Sequence, residues 1–292
     1  MFPEPFDYHR ATTVGEAIDL LGEFTDRDTA VLAGGHSLIP EMKADETAPD
    51  VVVDLDVDAL AGLNARDDRV VIGALTTYSD LLDCDVLAER APVLAEAAGE
   101  VGDVQIRNAG TIGGNLARAH PAADLPPAAL AADVTVLLRG PDGKREVGAG
   151  EFFRGDGETA VGDREIVTGA RVPDAGAAGA AYERKTHPAT GYALVSAAAV
   201  LDVDDGTVTD ARVAAGGVVD RAVRLPTVEE RVTGAAPDDE ALAAAADAAA
   251  ADLDESRLRS DPRASGEFRA HLLETYVERA LSRAADRATG ES

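Results

Sequence analysis

Two stretches decide how this chain is read: Ala33-Gly34-Gly35-His36-Ser37 and Thr111-Ile112-Gly113-Gly114-Asn115. Each pairs two glycines and follows them with a small polar side chain, Ser37 or Asn115. The first comes directly after the apolar run Thr29-Ala30-Val31-Leu32. Glycine admits positive φ and lets the backbone come close to a ligand, so consecutive N–H groups can point at phosphate oxygens. Two such loops suit a pyrophosphate, and hence a dinucleotide, better than a single phosphate. A lone Gly-Gly pair is usually only a turn, so the surroundings of both carry the weight.

Outward from these stretches the chain divides into three units. In residues 1–55, Thr12 or Thr13 can cap a helix over 14–21, and a strand near 30–32 leads into the first glycine loop. Leu38–Lys43 then reads as a short helix and 51–54 as a buried strand. Residues 56–173 open with a strand over 69–74, followed by helical stretches at Tyr78–Leu82 and 91–99, the second glycine loop and a helix over 122–132. Strands at 134–139 and 144–147 flank the turn Gly140-Pro141-Asp142-Gly143, and 165–172 closes the unit. Residues 173–179 read as a linker. Residues 179–287 are expected to hold an antiparallel pair, 192–203 and 207–215, joined by Asp204-Asp205-Gly206. An Ala-rich helix from Pro237 to about Leu253 and an amphipathic helix over 265–283 follow. That last helix and the antiparallel pair are candidate subunit contacts.

Composition excludes several classes. The 292 residues carry 54 acidic against 27 basic side chains, a formal net charge of −27, with only three lysines, Lys43, Lys144 and Lys185. Phosphate-backbone binding needs a basic surface, so nucleic acid is not an expected partner. The acid is spread along the chain, which favours adaptation to a salty cytoplasm over a docking face for a cationic partner. There is no apolar run of about 18 residues, the length a membrane helix needs. Met1-Phe2-Pro3-Glu4-Pro5-Phe6-Asp7 lacks the basic and apolar regions of a secretory leader, so the expected location is cytoplasmic. A single cysteine, Cys84, leaves no internal disulfide, all-cysteine iron–sulfur cluster or thiolate zinc cage. His9, His120, His187 and His271 lack the H-x-x-x-H spacing, so no metal site is expected. No G-x-G-x-x-G follows a strand and no G-x-x-x-x-G-K-S/T occurs, which disfavours a nicotinamide-type Rossmann site and a P-loop.

Extended to Leu32-Ala33-Gly34-Gly35-His36-Ser37-Leu38-Ile39-Pro40-Glu41-Met42-Lys43, the first loop resembles the flavin loop of the molybdenum hydroxylases. The likeness is to their FAD-binding subunits: the medium subunit of aerobic carbon monoxide dehydrogenases and the flavoprotein part of xanthine dehydrogenases. Gln105-Ile106-Arg107-Asn108-Ala109-Gly110-Thr111-Ile112-Gly113-Gly114-Asn115-Leu116-Ala117 resembles that family's other signature. It continues into His120-Pro121-Ala122-Ala123-Asp124-Leu125-Pro126-Pro127-Ala128, where the family carries an Asp before a Pro-rich helix start. Shorter likenesses lie at Phe6-Asp7-Tyr8-His9-Arg10, Ile72-Gly73-Ala74-Leu75-Thr76-Thr77, Tyr182-Glu183 and His187-Pro188-Ala189-Thr190-Gly191-Tyr192-Ala193, so nearly the whole chain is covered. The resemblance implies an α+β protein: a two-subdomain FAD-binding fold of the vanillyl-alcohol-oxidase-like type, followed by a C-terminal α+β domain with an antiparallel sheet.

It also implies roles. Ala33, Gly34, Gly35, His36 and Ser37 would cradle one side of the FAD pyrophosphate, and Thr111, Ile112, Gly113, Gly114 and Asn115 would supply the other. His36 would act either as a charged donor or as a packed ring. Asp124, nine residues after Asn115, matches the family's adenosine- or ribityl-side acid, with a helix N-cap before Pro126 and Pro127 as the alternative. Ile166 and Val167 fall on the apolar strand near the flavin, where core is the competing reading. Tyr192 falls where the family places an aromatic beside the isoalloxazine; a core or edge tyrosine is the alternative. Some relatives carry a Lys near the segment that begins at Tyr182. Here Glu183, Arg184 and Lys185 stand there, and Lys185 is carried as a candidate. Arg107 would either stabilise reduced flavin or form a surface ion pair.

The function so implied is that of an FAD-binding electron-transfer subunit, receiving electrons from iron–sulfur clusters in a small subunit after oxidation at molybdenum in a large one. A dimer of heterotrimers is the expected assembly. The chain itself has too few cysteines for the clusters. Two alternatives stay open: a stand-alone flavin oxidoreductase, for which no general base stands out, and a non-catalytic assembly protein that keeps the fold. The substrate (carbon monoxide, a purine, an aldehyde or another heterocycle) and the final acceptor are not written in these residues.

Overall fold

A computed structural model describes residues 2–188 and 191–290. Ala189 and Thr190 of the His187-to-Ala193 stretch lie outside the described residues.

The first unit is a parallel sheet flanked by helices. Strand β1 (Asp7–Ala11) is followed by α1 (Val14–Glu23), β2 (Thr29–Leu32), α2 (Leu38–Lys43) and β3 (Val51–Leu55). The strand order is β1-β3-β2, with both pairings parallel. The central strand reads Val51-Val52-Val53 because it is buried on both faces. Thr13 caps α1 by accepting from the Glu16 amide, and Ala17, Ile18 and Leu21 turn inward. β1, which the sequence reading passed over, exists through its pairing with β3.

The second unit is an antiparallel sheet interrupted by a helical excursion. β4 (Leu63–Ala65) and β5 (Arg69–Gly73) precede α3 (Tyr78–Leu82), α4 (Asp85–Arg90), α5 (Pro92–Glu100), α6 (Val104–Arg107), α7 (Ile112–Arg118) and α8 (Leu125–Ala131). The chain then returns through β6 (Thr135–Gly140), β7 (Gly143–Gly148), a short α9 (Ala149–Phe152), a small hairpin of β8 (Phe153–Gly155) and β9 (Glu158–Thr159), and β10 (Ile166–Pro173). The order β4-β5-β10-β6-β7 puts β10 at the centre.

The C-terminal unit consists of β11 (Gly179–Thr186), β12 (Ala193–Asp204), β13 (Thr207–Gly216), β14 (Val223–Arg224), α10 (Pro226–Val232), α11 (Asp239–Ala246) and α12 (Gly266–Thr289). The expected pair β12–β13 is the middle of a four-stranded antiparallel sheet, β11-β12-β13-β14. Alternate residues of β12 face opposite cores: Ala198 and Val200 pack toward the second unit, Ala197, Ala199 and Leu201 toward the helices of the C-terminal unit. Small side chains let helices sit close on both faces. Leu273, Tyr276, Val277, Ala280, Leu281 and Ala284 of α12 are buried in that second core. The apolar stripe of α12 and both faces of the β12–β13 pair are therefore largely spent inside the chain, with Phe268 near the start of α12 left half exposed. The Ala-rich helix is shorter than expected, ending at Ala246. Beyond it the chain turns so that the Asp252 carboxylate accepts from the Thr227 amide and hydroxyl at the start of α10.

Candidate cofactor site

The two glycine stretches meet. Gly35 adopts a φ of +70°, turning the chain from β2 into α2. A side chain on Gly34 would overlap the Ala109 carbonyl and approach the Gly110 Cα at 2.8 Å. The first loop is thus packed directly on the backbone that leads into the second stretch.

That second stretch is not a loop. Thr111 is an N-cap whose hydroxyl accepts from the Gly114 amide at 3.2 Å, and Ile112, Gly113, Gly114 and Asn115 form the first turn of α7. A Cβ on Gly113 would stand 2.5 Å from the Cβ of Ala74, so this glycine serves close packing rather than positive φ. The amides of Ile112 and Gly113 donate to the carbonyls of Thr76 and Ala74, and that of Asn115 to Thr111. None of these four amides is left for a ligand. Those of Gly34, Gly35, His36 and Ser37, by contrast, donate to no protein acceptor among the described residues. His36 turns its Nδ1 back to the Gly34 carbonyl at 2.6 Å.

Between the first two units runs a cleft of about 300 Å³. Ala33, Gly34, Gly35, His36, Ser37, Thr111, Gly113, Gly114, Asn115 and Val167 all line it, together with Ile166, Tyr78, Glu41, Arg118 and Glu165. A second lobe of about 150 Å³ adjoins it, sharing His36, Ser37, Tyr78, Asn115 and Arg118 and adding His120, Asp124 and Tyr192. Two candidates fall outside. Ile112 is only 1% exposed and its side chain belongs to the core of the second unit. Lys185 is exposed and lines neither lobe.

Strand parity explains Lys185. On β11, Tyr182 and Arg184 share the face toward the cleft, and Glu183 and Lys185 take the other. The Tyr182 hydroxyl donates to Asp124 at 2.7 Å, and Arg184 Nη1 reaches both Asp124 oxygens at 3.1 Å. Arg184 Nε also meets Glu100 at 2.9 Å. The Asp124 side chain caps no amide of α8, so it ties the second lobe to the C-terminal sheet instead. Burial holds its carboxyl above the usual carboxylate range, against the opposing pull of Arg184 and Tyr182. Arg107 lines neither lobe and forms no ion pair among the described residues: its Nη1 donates to the carbonyls of Gly99, Val101 and Gly102 at the end of α5, the last two of which border the second lobe.

Among the lining residues that escaped the sequence reading are Tyr78, Arg118 and His120. Burial pushes the Tyr78 phenol up to about 12, and its oxygen accepts from Asn115 Nδ2 at 2.9 Å. His120 stacks on Tyr192 with ring centroids 4.9 Å apart. Its Nδ1 accepts from the Ala122 amide, and burial followed by the charges of Arg259, Arg118 and Arg263 lowers it to about 4. It is therefore neutral at physiological pH. Helical spacing from Asn115 would have found Arg118 had the second stretch been read as a helix.

The residues present fit a dinucleotide flavin. The buried Asn115 Oδ1 has no hydrogen-bond partner among the described residues, and Asn115 lines both lobes. Four unspent amides in the first loop suit phosphate oxygens. No group of His, Cys, Asp and Glu able to hold a metal ion occurs among the described residues, nor a helix long and apolar enough to cross a membrane.

Comparison with known proteins agrees. Residues 4–175 match the family described as the FAD binding domain in molybdopterin dehydrogenase, and residues 180–284 the CO dehydrogenase flavoprotein C-terminal domain. The chain is 37% identical to the carbon monoxide dehydrogenase medium chain of Hydrogenophaga pseudoflava, over 97% of this chain and 98% of that protein. It is 33% identical to the glyceraldehyde dehydrogenase medium chain of Sulfolobus acidocaldarius, over 98% of this chain and 100% of that one. Among solved structures, a chain of the cyanide-inactivated Cu,Mo-CO dehydrogenase superposes with a TM-score of 0.93 at 35% identity, covering 98% of this chain and 100% of its own. Fold, paired glycine stretches and full-length similarity converge: the chain belongs to the FAD-binding, medium-subunit family of the molybdenum hydroxylases.

Proposed function

We propose that this chain carries electrons from the iron–sulfur clusters of a small partner subunit to an external acceptor, after a large molybdenum subunit has oxidised the substrate. Bound FAD supplies the redox chemistry, since a flavin exchanges single electrons with clusters and pairs with an acceptor. The protein's share is positioning. Amides of Gly34 to Ser37 would hold the diphosphate, Gly113 and Gly114 form a wall of small residues opposite, and the orphaned Asn115 oxygen would accept from a donor group of the cofactor. Asp124, fixed by Tyr182 and Arg184, and Tyr192, stacked on His120, shape the second lobe. We assign residues 1–55 and 56–173 to FAD and 179–287 to the domain that closes the second lobe. The assembly is taken to be a dimer of heterotrimers in a salt-rich cytoplasm. The observation that supports this reading is a pair of adjoining pockets, sharing His36, Ser37, Tyr78, Asn115 and Arg118, that together gather both glycine stretches, Asp124 and Tyr192.

Purification from the source at high salt, with a visible spectrum beside subunit and metal analysis, tests it. Oxidised flavin with iron and molybdenum in two companion chains is the expected result. Flavin without companions would favour a stand-alone oxidoreductase, and a colourless protein that takes up no added FAD would leave an assembly role.

A further inference from the structure

We propose that Arg118 is the counter-charge for the diphosphate of the bound dinucleotide, exchanging its ion pair with Glu41 for the phosphate oxygens when the dinucleotide binds. This rests on the cleft being the FAD site.

The amides of Ile112 to Asn115 are spent within the protein, so the α7 side must meet a diphosphate with side chains. Arg118 lies three residues beyond Asn115, on the same face of α7. It lines both lobes, where they join beside His36 and Ser37. Among the described residues it is the one arginine or lysine lining either lobe. Without it, a diphosphate in the larger lobe would face the carboxylates of Glu41 and Glu165 and no permanent cation.

Arg118 is engaged across the cleft. Its Nε and Nη2 donate to a single oxygen of Glu41, at 2.9 and 2.8 Å, joining α7 of the second unit to α2 of the first. The two side chains are 40% and 24% exposed, so this pair is solvated and weak. Both nitrogens meet one oxygen, whereas a guanidinium fork matches two oxygens of a phosphate. Gly157, with φ +82°, lies against the guanidinium; a Cβ there would stand 3.1 Å from Nη1. The exchange is therefore one of partners, carboxylate for diphosphate, by rotation of a half-exposed side chain.

A merely structural clasp and an exchangeable cation predict opposite signs for Glu41. The test is titration of flavin-stripped protein with FAD and, separately, with riboflavin, which lacks the diphosphate. Arg118→Gln should weaken FAD about ten- to a hundredfold, the worth of one charge-assisted hydrogen bond, and leave riboflavin unchanged. Arg118→Lys, which keeps the charge without the fork, should lose less. Glu41→Gln, freeing the guanidinium, should tighten FAD severalfold although the empty protein melts at a lower temperature. Equal weakening of FAD by Arg118→Gln and Glu41→Gln would overturn the proposal in favour of a clasp. So would FAD binding unaffected by Arg118→Gln and Arg118→Lys, or an equal loss for riboflavin. Wild-type protein that binds no FAD would overturn the assignment of the cleft itself.

Discussion

His120 is a base kept neutral by its surroundings. Burial comes first, and Arg259, Arg118 and Arg263 add positive charge that a protonated ring would oppose. Its pKa falls from an ordinary 6.5 to about 4 on folding. The unfolded chain therefore binds a proton that the native state refuses. Stability from this group is fully present above about 6.5 and is lost as the pH falls toward 4. The total is at most about 3 kcal/mol. Asparagine can still accept from the Ala122 amide but has no such proton. His120→Asn should lower stability at pH 7 and close that gap as the pH drops to 4.5, read from paired thermal melts. A melting difference that stays constant across this range would refute the assignment. The same scale separates Arg184 from Lys185 in their contacts. Both are long cations at neighbouring positions, and only pleat parity sends one of them to Asp124.

At the scale of elements, the glycines of the two stretches do different work. Gly34 is where loop meets loop, and any side chain there strikes the Ala109 carbonyl. Gly34→Ala should cost about 2 kcal/mol or more and abolish FAD uptake. Gly148→Ala, at a position with open space around it, should do neither. Denaturant unfolding and flavin content distinguish the two; equal behaviour would show that the loops do not depend on their contact. The first loop was legible because an apolar strand, a Gly-Gly turn and a short helix follow one another in local pattern. The second was not, since paired glycines are poor helix formers and only the distant carbonyls of Thr76 and Ala74 reward the helical turn. β1 was invisible for a similar reason: Asp7-Tyr8-His9-Arg10-Ala11 alternates weakly and becomes a strand by lying beside β3. The end of α11 shows the converse, local propensity overruled by the hold of Asp252 on Thr227. Which residues line the cleft was thus largely readable, and its geometry was not.

For the whole molecule, the excess of acid is the dominant electrostatic fact. With 54 acidic and 27 basic groups, pairing every cation would still leave half the carboxylates without one. Among the described residues the ion pairs are made by arginines, apart from His271 with Glu274, and many are well exposed, as in Arg10–Asp56, Arg27–Asp7 and Arg69–Asp68. Such pairs contribute on the order of 1 kcal/mol or less each, too little to offset repulsion summed over a net charge of −27. Salt weakens both terms, and the repulsion is the larger. At about 0.1 M the Debye length of ~10 Å spans neighbouring surface carboxylates, whereas near 1 M it shrinks to ~3 Å and isolates them. The melting temperature should therefore rise with potassium chloride, by about 5 °C between dilute and molar salt, equivalent to about 3 kcal/mol for a chain of this size. Sodium chloride at equal ionic strength should give nearly the same curve, because screening depends on ionic strength rather than on the cation. A melt indifferent to salt would mean that the carboxylates are too dispersed to repel. A rise with potassium but not with sodium would point to specific ion binding.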